Sequence, residues 1–258
     1  MKSSSLVNSN KPDFIIIGAQ KGGTSSLFYY LSQHPQLRLP EVKEVHFFDN
    51  NYDKGIKWYQ EQFPDISENM AKTGEASPYY IFHPHVPGRV FACCSAIKLI
   101  VMLRNPVDRA YSHFMMQKNR GIEPLTFEEA MEAESERIAD EEKKIINNTN
   151  YKSLTHQQRS YIARGKYYSQ LKQWLEYFSL DQFLFIKSES FFNDPLKELS
   201  RVYSFLNIKY TEDIEFTPQN TNEYQQMKPK TRALLDNYYA TEIINLYHLT
   251  GINFHWND

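Results

Sequence analysis

Short apolar runs alternate along the chain with longer stretches in which apolar residues recur at helical spacing. The apolar runs are Asp13–Gly18, Ile97–Leu103 and Phe183–Lys187. Their length and composition predict buried strands. Helices are predicted from Ser26 until Pro35 ends the pattern, from Pro106 to about Gln117, and over Tyr167–Phe178, Pro195–Leu206 and Lys230–Leu249.

The alternation of strands with helices predicts an α/β fold built on a central parallel sheet. Residues 1–11 are polar and are expected to form a flexible tail, and residues 12–258 are expected to form a single domain. Glu128–Gln158 is the most polar stretch. Such a stretch is typical of a surface helix with a mobile loop, or of a lid.

Composition and charge exclude several classes of protein. The chain has 258 residues, of which 41% are hydrophobic and 15% aromatic, so it is not disordered. Its net charge of −2 argues against a sequence-independent nucleic-acid binder. Cys93 and Cys94 are adjacent, which excludes a disulfide framework and predicts two small buried residues. No apolar run has the roughly 20 residues of a membrane span or the form of an export signal, which predicts a cytoplasmic protein.

Residues 18–26 (GAQKGGTSS) form a glycine-rich turn between a predicted strand and a predicted helix. Backbone N–H groups and a helix N-terminus at such a turn favour an anion such as phosphate. Gly18 and Gly23 fit the nucleotide-binding pattern G-x-x-x-x-G-K-[ST]. However, Thr24 stands where that pattern has lysine, and the lysine, Lys21, comes three residues earlier.

The second predicted strand ends in Arg104, where P-loop nucleotidases have the aspartate that organises Mg²⁺. Lys21 and Arg104 therefore predict a nucleotide phosphate that is neutralised by protein cations without a metal. Ser112, about two helical turns later, adds a hydroxyl donor. No metal site is expected, because the two-residue spacing of His83 and His85 is insufficient without further ligands.

In their order and separation these segments resemble the sulfotransferase superfamily, which uses 3′-phosphoadenosine 5′-phosphosulfate as donor. Residues 18–35 are similar to its 5′-phosphosulfate loop, and residues 99–114 (LIVMLRNPVDRAYSHF) to its 3′-phosphate motif. Residues 43–49 (KEVHFFD), 74–84 and 164–178 resemble the heparan-sulfate type and stand-alone bacterial members, and also sulfotransferase domains of natural-product synthases. The resemblance implies a P-loop-like, three-layer fold with a central, mainly parallel sheet flanked by helices.

The resemblance also implies the chemistry, which is transfer of a sulfuryl group to an acceptor hydroxyl or amine with adenosine 3′,5′-bisphosphate as the product. Glu44 is the expected base with His46 as the alternative, and Lys21 is expected to stabilise the leaving group. Lys43 and Asp49 are expected to contact the acceptor or to support the residues that do. The expected donor-binding residues are Lys21, Gly22, Gly23, Thr24, Ser25, Ser26, Arg104, Ser112 and Lys228. Residues 44 and 46 would point to the same side of an extended segment.

The sequence also departs from the heparan-sulfate pattern. Ala76 stands where those members commonly have lysine, and no cysteine pair near the C-terminus matches their disulfide. The acceptor class, small molecule or carbohydrate, therefore stays open, as does the role of Arg164 in the site or in the core. The alternatives are a P-loop kinase, which Thr24 and Arg104 disfavour, and an inactive nucleotide-binding module, which residues 43–49 disfavour.

Overall fold

A computed structural model describes residues 11–65, 72–217 and 225–256, so nearly all of the predicted tail lies outside the described residues. Five strands form one sheet: β1 (Phe14–Gly18), β2 (Leu37–Arg38), β3 (Lys72–Ala76), β4 (Lys98–Leu103) and β5 (Phe183–Lys187). Their order is β2-β3-β1-β4-β5, and every neighbouring pair is parallel. The predicted α/β class with a parallel sheet is confirmed.

The helices of the described ranges are α1 (Thr24–Ser32), α2 (Phe47–Asn50), α3 (Gly55–Gln60), α4 (Val86–Cys93), α5 (Pro106–Asn119), α6 (Phe127–Asn147), α7 (Leu154–Gln158), α8 (Tyr167–Leu175), α9 (Ser188–Asn193), α10 (Pro195–Leu206) and α11 (Pro229–Thr250). Single 3₁₀ turns lie at Tyr52–Lys54, Ala163–Gly165 and Leu180–Gln182. The predicted ends of α5, α10 and α11 are correct to within two residues. No helix in these ranges combines the length and the apolar character that crossing a membrane requires.

Alternate residues of each strand face opposite sides of the sheet, and each side is covered by helices. Ile15 and Leu99 pack on one side with Trp174 of α8 and with α4. Ile16 and Met102 pack on the other side with α1, α9 and α10. A further apolar cluster joins α5, α6 and α11. The sheet is therefore the middle of three layers. Because helices cover both of its faces, a ligand site is expected at the carboxyl edge of the sheet.

The strand order reverses direction at β1. After β1 the chain forms β2 and β3 on one side of it, and then β4 and β5 on the other. Ligands of open α/β sheets bind at such a reversal, outside the carboxyl ends of the strands. Here that crevice lies between the loop after β1 and Arg104, which directly follows β4.

Two strands, β2 and β3, were not predicted from the hydrophobic pattern. The sequence of β3 is KTGEA, which contains no apolar run, yet residues 73–76 are buried. Gly74 packs on the ring of Phe14, and a Cβ there would lie only 2.5 Å from that ring. Glu75 is buried because its carboxylate is hydrogen-bonded. Tertiary contacts, not apolar side chains, thus place β3 beside β1.

The polar stretch at Glu128–Gln158 forms most of α6 and all of α7, and it is attached to the rest of the molecule. Arg89 donates to the carbonyl of Thr149, and Asn50 donates to the Gln157 side chain (3.3 Å). His85 contacts the carbonyl of Ile145 at 2.8 Å. Of the two expectations for this stretch, a surface helix agrees with the structure, and its second part packs beside the segment that follows Glu44.

The two cysteines are less buried than predicted. Cys93 and Cys94 are free thiols and half-buried, with their sulfur atoms 3.2 Å apart. They end α4 just before β4, at the amino edge of the sheet where the core stops. The chain reverses there over residues 94–97, which keeps both side chains near the surface.

Candidate active site

The loop between β1 and α1 is held tightly against the end of β4. The Ala19 N–H donates to the carbonyl of Met102 (2.7 Å), and the Gly22 N–H donates to that of Ala19 (2.9 Å). A Cβ at Gly22 would lie 2.7 Å from the Met102 carbonyl oxygen. Gly23 adopts φ 97° and is the N-cap of α1. The loop therefore delivers its backbone directly to a helix N-terminus, which is a favourable place for an anion.

The predicted hydroxyl residues begin α1. Thr24 and Ser26 are buried and Ser25 is half-exposed. The side chain of Ser188 bonds the carbonyl of Gly22 from the far side of the loop. Loop and helix start are thus fixed by the surrounding core before any ligand binds.

Three cations converge on this loop. Burial lowers the pKa of Lys21, and the positive charges of Arg104 and Arg120 lower it further. A guanidinium nitrogen of Arg104 lies 3.4 Å from the carbonyl oxygen of Lys21. Arg120, just past the end of α5, was not singled out from the sequence. Mutually repelling cations at a helix N-terminus form a region that favours anions.

The other predicted donor residues lie on or beside α5. Ser112 is buried in this helix, eight residues after Arg104. Lys228 is the N-cap of α11, which is tied to α5 by an ion pair between Arg232 and Asp108. The Lys228 ammonium is exposed and lies 3.3 Å from a Glu128 carboxylate oxygen. Its contact with a donor phosphate stays a prediction.

Glu44, His46 and Asp49 form a hydrogen-bonded chain at the carboxyl end of β3. His46 Nε2 lies 3.2 Å from Glu44 Oε2, and His46 Nδ1 lies 2.7 Å from Asp49 Oδ2. Lys43 Nζ donates to the other oxygen of Glu44 at 2.5 Å. The Glu44 N–H donates to the carbonyl of Ala76, the last residue of β3. These hydrogen-bonded side chains therefore lie beside β3, which pairs with β1.

The backbone around Glu44 is not extended, which corrects the geometry expected from the sequence. Glu44 adopts φ 67° and His46 adopts φ 52°, both in the left-handed region. Lys21 does the same at φ 70°, and the only other described residues besides glycine with positive φ are Asn207 and His255. This region costs an L-residue about 1–2 kcal/mol. Such strain accumulates at functional sites, and here it falls on the three predicted catalytic residues.

The protonation states of Glu44 and His46 follow from their hydrogen bonds. Burial by itself would raise the pKa of Glu44, but hydrogen bonds from His46 and Lys43 outweigh it and bring the pKa to about 2. Burial would lower the pKa of His46, but its bonds to Asp49 and Glu44 raise it to about 10. Near neutral pH, Glu44 is therefore ionised and His46 is an imidazolium.

Asp49 was expected to contact the acceptor or to support the residues that do. Its side chain is fully buried, and its carboxylate bonds His46 and the Asn50 N–H. The buried carboxylate orients the His46 ring, and its contact with an acceptor stays a prediction. Lys43 is half-buried beside Glu44 and keeps access to the site.

Glu75 supports this chain from below, and sequence reasoning gave it no role. Its Oε1 accepts from the hydroxyls of Tyr59 (2.7 Å) and Tyr80 (3.1 Å), and its Oε2 accepts from that of Ser77 (2.7 Å). Burial raises the pKa of Glu75 to about 7, although the three hydrogen bonds act to lower it. An acidic residue inside a short segment of small residues is the sequence signal that could have identified it.

The hydroxyls bound to this carboxylate in turn hold the backbone of residues 46–48. The His46 N–H donates to Ser77 Oγ at 3.2 Å. The Phe47 and Phe48 N–H groups donate to Tyr80 OH at 2.8 and 3.2 Å. Each hydroxyl has one proton, which it donates to the Glu75 carboxylate. The hydroxyl oxygen is then free to accept from these N–H groups. The orientation of the His46 backbone thus depends on the Glu75 carboxylate through one intervening hydroxyl, that of Ser77.

Arg164, left open by the sequence, is a buried link between α7 and residues 19–23, the loop between β1 and α1 that we call the donor loop after its predicted ligand. Its guanidinium donates to the Gln20 side chain and to the carbonyl of Gln157 (2.6 Å). It lies 4.7 Å from the ring centre of Tyr79, and its charge interacts with that of Glu44. Burial lowers its pKa to about 10, so it stays cationic at neutral pH. Within the described ranges, no group of three His, Cys, Asp or Glu side chains is arranged to hold a metal ion.

Comparison with known proteins adds the family. Residues 11–245 match the family described as the sulfotransferase domain. The chain belongs to the sulfotransferase family. The match contains the donor loop, the Glu44–His46–Asp49 chain and Arg104, so the predicted resemblance is confirmed.

Named relatives agree with this membership. The membrane-associated sulfotransferase kil1 of Dictyostelium discoideum is 29% identical over 314 residues, a match that covers 96% of this chain and 67% of kil1. Human heparan sulfate glucosamine 3-O-sulfotransferase 3B1 is 31% identical over 270 residues, which covers 95% of this chain and 65% of that enzyme. The chain thus spans about two thirds of the length of these relatives.

Solved structures confirm the three-layer fold. A sulfotransferase from Alicyclobacillus acidocaldarius matches with a TM-score of 0.80 and 30% identity, covering 96% of this chain and 99% of that chain. The sulfotransferase domain from the curacin biosynthetic pathway shares the fold at a TM-score of 0.51 and 18% identity, with 78% of this chain and 76% of that chain covered.

Proposed function

We propose that the protein transfers a sulfuryl group from 3′-phosphoadenosine 5′-phosphosulfate to a hydroxyl, or an amine, of a small-molecule or carbohydrate acceptor. The observation that carries the proposal is the ionised Glu44, held by His46 and Lys43, beside a cationic loop at the helix N-terminus. An anionic donor and a base for the acceptor would thus meet at one edge of the sheet.

The donor side of the site fits an anionic nucleotide. Gly22 has no space for a side chain, Gly23 is left-handed, and Lys21 is surrounded by like charge. Lys21 and the N–H groups of residues 22–26 would hold the phosphosulfate, while Arg104 and Ser112 would hold the 3′-phosphate. The 3′-phosphate is remote from sulfur, so these two residues contribute binding and orientation.

The acceptor side assigns the base. The acceptor oxygen forms a bond to sulfur and gives its proton to Glu44, while the bond between sulfur and the bridging oxygen breaks. The electron pair stays with the departing bisphosphate, whose charge Lys21 neutralises. His46 is an imidazolium held between Glu44 and Asp49, so it cannot take the proton. Lys43 and His46 lower the basicity of Glu44, and a shift of the Lys43 ammonium towards the anionic donor would raise it.

Calorimetry with adenosine 3′,5′-bisphosphate in chelator, compared with ATP plus Mg²⁺, tests the donor. Tight binding of the bisphosphate in chelator is expected. Arg104→Ala should weaken it about 10- to 100-fold, whereas Lys197→Ala, an exposed lysine on α10, should leave it unchanged. A preference for magnesium–ATP would favour the kinase alternative and overturn the proposal.

Turnover separates an enzyme from an inactive binding module. Glu44→Gln should lower kcat about 10²- to 10⁴-fold while the bisphosphate Kd changes less than about twofold. Lys21→Ala should lower both turnover and donor binding. Near-normal turnover of Glu44→Gln would show that the base is assigned wrongly, and wild-type protein that binds the bisphosphate but sulfates nothing would support the module.

A further inference from the structure

A groove of about 580 Å³ runs between α1 and the segment that leads from β2 to Glu44. Its apolar lining is Phe28, Tyr29, Leu37, Leu39 and Pro40. This volume is within the range of pockets that bind one small molecule. Apart from Ser25 and Lys43, the residues that line it have no part in the proposed transfer.

The groove begins at the reacting groups. One end is lined by Ser25, in the first turn of α1, and by Lys43, whose ammonium bonds Glu44. The sheet order places β2 and the groove on one side of β1, while Arg104 follows β4 on the other side. A donor held by Arg104 and the loop therefore approaches from the β4 side, which leaves the β2 side for the acceptor.

The chemistry of the lining favours one acceptor class. Its charged residues are Arg38, Glu41 and Lys43, and the Lys43 ammonium is already bonded to Glu44. A sulfated polysaccharide needs several free cations, and Glu41 would repel it. Along the part of the wall formed by Phe28, Leu39 and Pro40, the hydroxyls of a neutral sugar would lose water without gaining partners. An apolar arm loses nothing by leaving water there.

We propose that this groove binds the apolar arm of the acceptor, so that the substrate is an alcohol or phenol carrying an alkyl chain or aromatic ring next to its reacting hydroxyl. The inference rests on the proposed sulfuryl transfer and names its substrate class. The arm lies along Tyr29 and Leu39, and the hydroxyl meets Glu44 at the Ser25–Lys43 end.

A series of straight-chain primary alcohols from ethanol to octanol, at a fixed phosphosulfate donor concentration, tests the groove. We expect kcat/KM to rise up to about fourfold for each added methylene and then to level off when the groove is full. Ser32→Phe, which adds a ring at an exposed position of the lining, should end the rise at a shorter chain and lower octanol turnover at least about tenfold.

Ser204→Phe is the matched control, because Ser204 is also exposed near the end of a helix, α10, and is outside the groove. It should reproduce the wild-type series. Leu39→Asn gives a second variant, at a half-buried position, and should flatten the slope without shortening it.

The outcomes separate this inference from the proposed function. A flat alcohol series, or turnover of a heparan-type hexasaccharide but of no alcohol, overturns the groove assignment and leaves sulfuryl transfer standing. Loss of slope in Ser204→Phe as much as in Ser32→Phe also overturns it. Failure to bind adenosine 3′,5′-bisphosphate, together with no turnover of any acceptor, overturns the proposed function and the groove with it.

Discussion

At the scale of single residues, His46 decides where the proton lies in the site. It stands between the carboxylates of Glu44 and Asp49, and both bonds favour its charged form. The positive charge of His46 keeps the Glu44 carboxylate ionised and in place. The ionisation of Glu44 is thus set by the neighbours of its carboxylate as well as by its residue type.

This charge assignment predicts the titration of His46. Its imidazole should stay protonated well above neutral pH, with a pKa near 10. Glu44→Gln removes one of its carboxylate partners and should lower that pKa by about one unit or more. Nitrogen NMR of the imidazole as a function of pH measures both, and an imidazole that titrates near pH 6.5 in the wild type would contradict the assignment.

Glu75 is predicted to act on turnover through position alone. In Glu75→Gln the amide offers two N–H donors, so a hydroxyl of Tyr80 or Ser77 must turn its proton towards the backbone N–H it now accepts from. We expect kcat to fall about 10- to 100-fold with bisphosphate binding retained.

The control is Glu123→Gln, another buried carboxylate that accepts a tyrosine hydroxyl, in the connection between α5 and α6. It should lower the free energy of unfolding but leave kcat unchanged in the remaining folded protein. Equal losses of kcat in both variants would mean that Glu75 contributes only to stability.

At the scale of elements, the donor loop depends on how closely β1, α1 and β4 approach. Ala19 bonds the last part of β4, and Gly22 lies against the same carbonyl group. Asn105 then starts α5 by accepting from two N–H groups, with Pro106 as its first residue. These short connections hold Lys21, which follows β1, and Arg104, which follows β4, at the ends of two adjacent strands.

Gly22→Ala is therefore expected to disrupt the loop. The new methyl group would lie 2.7 Å from the Met102 carbonyl oxygen, so the loop must move away from β4. We expect bisphosphate affinity to fall at least about tenfold and the melting temperature to drop by several degrees. Gly121→Ala is the control, since a Cβ at Gly121 meets nothing within 4 Å, and it should cost stability without affecting binding. Calorimetry and thermal denaturation give the two readouts.

At the scale of the whole molecule, the buried carboxyl group of Glu75 beneath the site lowers the free energy of unfolding as the pH rises. The pKa of Glu75 rises from 4.5 to about 7 on folding, because the carboxylate loses water inside the sheet. A raised folded-state pKa gives stability that is complete below the unfolded value and is lost as pH rises through the folded value. The ionised form of Glu75 beneath the site is thus the form that lowers the free energy of unfolding.

The prediction concerns the free energy of unfolding between pH 4.5 and 7. The difference between wild type and Glu75→Gln should shift over this range against the wild type, by on the order of 3 kcal/mol. Urea denaturation at several pH values measures it, and taking the difference cancels the other titrating groups. A difference that is constant with pH would contradict the raised pKa.

The sequence by itself determined some of the secondary-structure elements, together with the loop and the strand end that contain the predicted donor-binding residues Lys21 and Arg104. Strands β1, β4 and β5 and the helices α5, α10 and α11 follow from apolar runs, helical spacing and capping residues, all of which act over a few residues. The loop that contains Lys21, and the strand end that contains Arg104, are local patterns of the same kind. Interactions between residues that are close in the sequence can be recognised from short stretches of that sequence.

Only the tertiary structure decided the geometry around Glu44 and His46, two of the predicted catalytic residues. Strand β3 has no apolar run, and its place depends on Phe14, 60 residues away in the chain. The left-handed turn at Glu44 and His46 depends on hydroxyls about 30 residues later, and Arg164 reaches Gln20 across 144 positions. Hydrogen bonds of a buried carboxylate and a buried arginine are long-range contacts. No local pattern encodes such a contact, because its energy arises only when distant segments leave water together.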